Sequence, residues 1–438
     1  MSYITIEELH ALFLACNQQI TTDTRKLTKG GLFFALKGEN FDANTFVEQA
    51  VDKGCAYAVT DNQVYANGKT ILLVEDVLTA LQDLAKYHRS RLNLKVIGIT
   101  GSNGKTTNKE LICAVLSKKY NVSATVGNLN NHIGVPLTLL ALTTAHEIAI
   151  VEMGANHQGE IDMLCHIADP DFGIITNIGK AHLEGFGGLE GIKKGKSELY
   201  RYLKPKNGSI FINGDDIVLN ELSEGLQKIT YGEKIEFDVH GKLIPDSEFV
   251  EFKWNQAHQP VDQKPLVKTK MYGHYNFINL LCAACIGNYF KVDELLINIA
   301  LAEYVPEMNR SQVLKTTHNT LILDAYNANP SSMLLAISNY ADQSFQNGFF
   351  ILGDMLELGE YSKDEHKAIL DQLIKLNMKE VLLVGDLFFE FKSDYKSFMF
   401  FKTSEEASAY LKTNPIVSKT ILIKGSRGIK LEKLVEFL

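Results

Sequence analysis

The first chemical signal is a short string: Gly101, Ser102, Asn103, Gly104, Lys105, Thr106 and Thr107. The two glycines free the backbone for positive φ and for close approach to a ligand. Ahead of them, Leu94 to Ile99 is apolar and β-branched, which reads as a buried strand. Beyond them Leu111, Ile112, Val115 and Leu116 recur at helical spacing. Strand, glycine turn and helix N-terminus together aim backbone N–H groups and a positive dipole end at an anion. Lys105 adds a point charge, and Thr106 a hydroxyl for a phosphate-bound Mg2+. The common spacing G-x-x-x-x-G-K-[ST] would need glycine at position 99, where Ile99 stands. An ordinary βα turn with an exposed lysine is the bland alternative. The Gly-Lys-Thr-Thr ending and its context favour a phosphate loop of a shorter kind.

Further along, Glu152 closes an apolar run in IAIVEMGANHQGEI. A carboxylate after a buried strand, in a chain with a phosphate loop, is placed to hold Mg2+ directly or through water. Its other use would be an ion pair with a lysine. The string NIGKAHLEGFGGLEGIKKGKSELY carries His182, Glu184 and lysines at 193, 194 and 196. Most lysines in such runs are solvated. One that faces Mg2+ either binds phosphate or has reacted with CO2 to a carbamate, which turns the cation into a carboxylate-like ligand. Arg427 follows a strand ending in K-G-S, where its guanidinium can take a carboxylate bidentately or join a structural ion pair.

These residues need a scaffold, and the chain alternates strands with helices throughout. Residues 1–93 open with a helix whose Thr5-x-x-Glu8 is a capping box; strands LFFAL, AYAVT and TILLV follow, then a helix over 76–92. Residues 94–308 hold the phosphate strand, then EIAIVEMG and FGIITNIG, both strands ending in glycine; 228–271 is strand-rich and reads as an antiparallel edge or flap. Residues 309–438 repeat the alternation with TLILDAY, GFFILGD, EVLLVGD and KTILIKGS. The expected fold class is α/β with three domains. They are a small α/β N-terminal domain, a central P-loop-type mononucleotide-binding sheet domain, and a C-terminal Rossmann-like domain. In such sheets ligands sit beyond the carboxyl ends of strands. Polar signals gather there at 102–107, 152–157, 177–184, 324–329, Asp354 and 424–427.

Composition narrows the partners. The 438 residues carry a net charge of −8, with no basic footprint for nucleic acid. No apolar run is long enough to span a membrane, and the start lacks a signal peptide's pattern, so the cytoplasm is expected. Six scattered cysteines include Cys282-x-x-Cys285, inside an apolar helical stretch and without a second pair. They read as small core residues rather than a metal or redox site.

Together the motifs resemble a family. T-G-S-N-G-K-T-T at 100–107, G-N-L-N-N-H-I-G-V-P at 127–136, E-M-G-A-N-H-Q-G-E-I at 152–161 and A-H-L-E-G-F-G at 181–187 are similar to the Mur ligases of bacterial cell-wall synthesis. G-H-Y-N-F-I-N at 273–279, D-A-Y-N-A-N-P at 324–330 and K-G-S-R at 424–427 extend the resemblance over all three units. N-N-x-I-G-V-P, G-A-N-H-Q-G-E-I and Y-N-A-N-P look like the members that add D-alanyl-D-alanine. The D-N-P-R string typical of members that add a diamino acid is missing.

The resemblance implies ATP and Mg2+ as cofactors, UDP-N-acetylmuramoyl-tripeptide and D-alanyl-D-alanine as substrates, and a monomer. It implies that Gly101 to Thr107 bind ATP, together with Asn276 and Asn279 at adenine and Arg310 and Asp324 at phosphates and ribose. Thr106, Glu152, His182 and Lys196 would hold the metal, with Lys105, His182 and Lys196 catalytic and Lys196 carbamylated. Thr24, Arg25, Asn44, Asn130 and Asn131 would meet the uridine-nucleotide substrate. Family members commonly read F-D-G-H where this chain has Ala43 and Asn44 after Asp42. Asn327, Asn329, Lys424, Ser426 and Arg427 would meet the acceptor.

Overall fold

The computed structural model describes residues 2–245, 247–307, 309–343 and 347–438. It divides into two compact units, one made of Met1–Ile99, Tyr120–Ala155 and Gly159–Gly173, the other of Thr100–Lys119, Asn156–Gln158 and Ile174–Leu438.

In the first unit, helix Ile6–Ala15 opens on the expected capping box. The Thr5 hydroxyl accepts from the Glu8 N–H at 3.3 Å, and a Glu8 carboxylate oxygen accepts from the Thr5 N–H at 3.0 Å. Four parallel strands stand in the order Ile20–Thr21, Leu32–Phe34, Tyr57–Thr60, Ile71–Leu73. Phe33, Val47, Ala50 and Ala58 fill a core beside them. A second parallel set places Ile148–Glu152 between Lys95–Thr100 and Val122–Ala124. All five residues of Ile148–Glu152 are buried, so its run is apolar rather than alternating.

A histidine relay ties helix Ile6–Ala15 to helix Val77–Ser90. His88 Nε2 lies 2.9 Å from the carbonyl of Leu142 and must donate to it, which leaves Nδ1 to accept from His10 Nε2 at 3.1 Å. The relay runs in this direction when both rings are neutral. Burial, helped in His10 by the charge of a protonated His88 and by Arg91, lowers both pKa values. Because the unfolded chain takes up these protons near the ordinary value of about 6.5 and the folded one resists, stability is full above that pH. It falls as pH drops below it. Thermal unfolding compared at pH 7.5 and 5.5 should show a clear loss of stability at the lower pH. In His88→Gln the loss should be visibly shallower; an equal slope would place its source elsewhere.

In the second unit, helix Lys105–Leu116 lies along helix Phe277–Tyr289, which is apolar on nearly every side. A Cβ on Gly287 would come within 2.5 Å of Val115, so glycine is what lets the two backbones approach. Cys282 and Cys285 are buried in this helix, and burial pushes the Cys282 thiol up to about 12. That agrees with core residues, not a redox pair. The strand-rich 228–271 stretch is only partly antiparallel. Gln227–Gly232 runs parallel to Ser209–Asn213 and to Val239–Ile244, and antiparallel pairing begins with Val239–Ile244 against Phe249–Gln256 and continues to Val267–Tyr272.

The remaining sheet has the order Gln312–Lys315, Thr320–Asp324, Thr420–Lys424, Gly348–Gly353, Val381–Val384, Met399–Phe401. Its last five strands are parallel. The first is an antiparallel edge that the sequence pattern did not reveal.

Candidate active site

Strand Lys95–Thr100 leads into the glycine loop, and helix Lys105–Leu116 leaves it. Gly101 has φ 139, and a Cβ there would meet Thr176 Oγ1 at 2.0 Å; Gly104 has φ 77 and forms the helix cap. Both positions therefore demand glycine. The loop is pinned from 176–179. Ser102 Oγ donates to the Gly179 carbonyl and accepts from its N–H, both at 2.9 Å. Asn103 N–H donates to Asn177 Oδ1 at 3.1 Å, and its carbonyl accepts from Thr176 Oγ1 at 2.6 Å. Lys105 Nζ donates to the Gly101 and Ser102 carbonyls at 2.6 and 3.1 Å, so the cation lies over the loop. Thr106 is buried in the first helical turn, where N–H groups have no intrahelical partner.

The loop is also joined to residues far along the chain. Asn108 Nδ2 donates to Asn279 Oδ1 at 2.8 Å, and Asn279 Nδ2 to Asn276 Oδ1 at 2.9 Å. Asn276 in turn donates to the Tyr272 carbonyl at 2.8 Å. Asn329 Nδ2 donates to Asn103 Oδ1 at 2.7 Å. The structure thus brings Asn103, Gly104, Asn276, Asn279 and Asn329 together, and Asn108 joins them although its sequence gave no motif to mark it.

Glu152 lies across from Ile99 at the carboxyl ends of their strands. It is 2% exposed; Oε1 accepts from Asn130 Nδ2 at 2.8 Å, while Oε2 is buried with no hydrogen-bond partner among the described residues. An orphaned buried carboxylate oxygen is costly and suits a cation or a cation's water. Asn131 turns the chain, its Oδ1 accepting from Ile133 and Gly134 N–H groups at 3.1 and 2.9 Å. Among the described residues no three His, Cys, Asp or Glu side chains gather as a metal cluster. A Mg2+ here would also draw on hydroxyl and phosphate oxygens, as that ion commonly does.

His182 has φ 55, and its Nδ1 pairs with the Glu357 carboxylate. That pairing holds the Glu357 carboxyl below its ordinary range. Glu357, itself at φ 63, was not foreseen, since nothing in its local pattern points to residue 182. Lys196 is fully buried, with Nζ 4.9 Å from the centre of the Phe186 ring.

Near the start of the chain, Thr24 is half-buried and Arg25 exposed. Arg25 forks onto Asp23 with two bonds of 2.9 Å, holding that carboxyl at about 2. Asn44 is fully buried, and its amide is spent internally: Nδ2 donates to Asp42 and Asp61 at 2.8 Å, and Oδ1 accepts from Thr60 at 2.5 Å. Asn44→Ala removes three hydrogen bonds from a fully buried site and is expected to cost about 2–4 kcal/mol of stability in chemical denaturation. A loss under about 0.5 kcal/mol would contradict this reading.

Three strand ends of the last sheet meet at one side. Asp324 and Lys424 are paired in register, and Lys424 Nζ binds Asp324 Oδ2 at 2.6 Å, both side chains being largely buried. Ser426 Oγ accepts from the Leu356 N–H at 3.0 Å. Asn327 is exposed, its Oδ1 accepting from the Ala328 N–H at 2.9 Å. Arg310 is half-buried and Arg427 exposed; their guanidinium carbons lie 3.6 and 5.4 Å from the centre of the Tyr326 ring. Asp354 proves to be a structural clamp: its carboxylate accepts from the Leu387 and Phe388 N–H groups at 2.9 Å, and burial raises it to about 6.

The family profile described as the Mur ligase middle domain matches residues 99–287, and the Mur ligase glutamate ligase domain matches 309–427. The chain is 36% identical to the UDP-N-acetylmuramoyl-tripeptide–D-alanyl-D-alanine ligase of Bacillus subtilis (strain 168), over 96% of this chain and 92% of that one. Its fold is similar to MurF from Acinetobacter baumannii, with TM-score 0.84 and 34% identity over 95% of this chain and 92% of that one. It is similar also to MurF from Thermotoga maritima in complex with ADP, with TM-score 0.84 and 26% identity over 97% of each chain. The architecture is the three-domain α/β one expected from the sequence, and the chain belongs to the Mur ligase family.

Proposed function

We propose that the protein joins D-alanyl-D-alanine to UDP-N-acetylmuramoyl-tripeptide at the expense of ATP, in the cytoplasm and as a monomer, as a step of peptidoglycan precursor synthesis. The observation that carries this reading is the Asn103–Asn329 bond. It ties the phosphate loop to the Y-N-A-N-P segment, and so a nucleotide site to an acceptor site. We assign residues 1–93 to the uridine-nucleotide substrate, 94–308 to ATP and 309–438 to the acceptor.

A carboxylate is a poor electrophile because its oxide leaves badly. Transfer of the γ-phosphoryl group to the tripeptide carboxylate gives an acyl phosphate and ADP. The dipeptide amine then attacks the acyl carbon, and the tetrahedral intermediate expels phosphate as the amide forms. Lys105 offsets the charge that develops on the transferred phosphoryl group. Gly101 to Thr107 cradle the phosphates, Asn276 and Asn279 hold the adenine side, and Arg310 and Asp324 act at phosphates and ribose. Thr106, Glu152, His182 and a carbamylated Lys196 would hold Mg2+, which supplies Lewis-acid neutralisation of phosphate charge when bound; the open oxygen of Glu152 supports this. Thr24, Arg25, Asn130 and Asn131 contact the uridine-nucleotide substrate, and Asn44 positions that site from within. Asn327, Asn329, Lys424, Ser426 and Arg427 serve the acceptor, with Lys424 also orienting Asp324.

The route through acyl phosphate is tested with donor carboxylate labelled in 18O: one label should appear in released phosphate. Phosphate free of label would overturn it. Arg427→Ala should raise KM for D-alanyl-D-alanine about tenfold or more, since a charge-assisted pair to carboxylate is lost. KM for ATP should change far less; equal effects on both would refute the assignment.

A further inference from the structure

Topology places three residues at one end of the last sheet. Gln312 pairs with Leu323 at the start of the antiparallel edge strand, so Arg310, two residues earlier, lies near the carboxyl end of Thr320–Asp324. Asp324 pairs with Lys424, so Tyr326 and Arg427 both lie just beyond paired strand ends. The outcome is two guanidiniums on one ring, Arg310 at 3.6 Å and Arg427 at 5.4 Å from its centre. Both distances are within the range where the negative face of an aromatic ring attracts a cation. Arginine suits this well, because its planar and weakly hydrated head stacks without losing its hydrogen-bonding edge. Arg310 Nε is buried without a hydrogen-bond partner among the described residues, and its head group lies over the ring. Two like charges close together repel, and the ring they share lowers that cost.

We propose that Tyr326 is a positioning residue that holds Arg310 and Arg427 through its ring face and so couples the nucleotide site to the acceptor site. This rests on the roles given above to the two arginines. A ligand that draws one guanidinium away from the ring changes the field felt by the other, so filling one site alters the other. The ring, not the hydroxyl, does the holding.

The test compares Tyr326→Phe and Tyr326→Leu in the full chain, with steady-state kinetics in all three substrates and calorimetric titration of ATP. Tyr326→Leu should raise KM for D-alanyl-D-alanine and for ATP about three- to tenfold each, the size of a lost cation–ring contact. KM for UDP-N-acetylmuramoyl-tripeptide and the melting temperature should stay within about twofold and a degree or two. Tyr326→Phe should behave as the parent protein. Adding Arg427→Ala to Tyr326→Leu should raise KM for the dipeptide less than the two separate effects multiplied together. Unchanged KM values in Tyr326→Leu, equal impairment in Tyr326→Phe, or a loss confined to kcat would each overturn the proposal. If the parent protein does not ligate these substrates, the proposed function fails. The ATP titration then still decides for Tyr326: weaker binding in the Leu variant but not in the Phe variant supports it, and equal binding overturns it.

Discussion

Lys105→Ala is expected to abolish ATP-dependent ligation, lowering kcat/KM by about 10³-fold or more, while the protein remains folded. In the structure the Lys105 ammonium bonds the loop carbonyls of Gly101 and Ser102. Its loss removes no core packing, because the helix is held through Leu111, Ile112, Val115 and Leu116, all fully buried. What is lost is a fixed charge where negative charge moves, and such groups contribute orders of magnitude to phosphoryl transfer. Circular dichroism and melting should match the parent protein. A folded variant with near-normal turnover would remove the phosphate-loop assignment.

Lys196→Ala is expected to be similarly inactive, by about 10²-fold or more, and to regain part of its activity with added acetate. The side chain is wholly buried beside Phe186, and Gly195 is packed so closely that a Cβ would meet that ring at 2.4 Å. Taking an ammonium wholly out of water is unfavourable without a compensating charge. The ring face suits the cation, whereas a carbamate would need donors or a metal. The two species make opposite forecasts. If a carbamate is the working form, a short carboxylate can fill the space vacated by alanine, and Lys196→Arg stays inactive because a guanidinium keeps the wrong charge. Robust activity of the arginine variant would show that the site requires positive charge.

The parts of this fold legible in the sequence are those fixed by local rules. The Thr5–Glu8 box, the apolar runs of the parallel strands and the glycine loop each follow from spacing that a few neighbouring residues determine. Gln312–Lys315 and Met399–Phe401 escaped because short edge strands carry little periodic signal. The direction of Gln227–Gly232 was misjudged for a related reason: alternation marks a strand, but not whether its partner runs parallel. In the site, glycines and charged residues announced themselves, whereas Asn108, Glu357 and Tyr326 did not. Each acts through a partner distant in sequence, and only the fold supplies that partner. Asn44 shows the converse, a residue with the polar look of a ligand contact whose amide is consumed by the protein's own Asp42, Asp61 and Thr60.

The central claim is the identity of the acceptor, and phosphate release in the presence of ATP, Mg2+ and UDP-N-acetylmuramoyl-tripeptide measures it directly. With D-alanyl-D-alanine one phosphate should appear for each dipeptide joined, the product gaining the mass of the dipeptide less water. Single amino acids, including D-alanine, should release at least about a hundredfold less, because a site that pairs the dipeptide's groups would be left with unpaired polar atoms by a shorter acceptor. Release that is as fast with a single amino acid, or that proceeds without gain of mass in the nucleotide product, would contradict it.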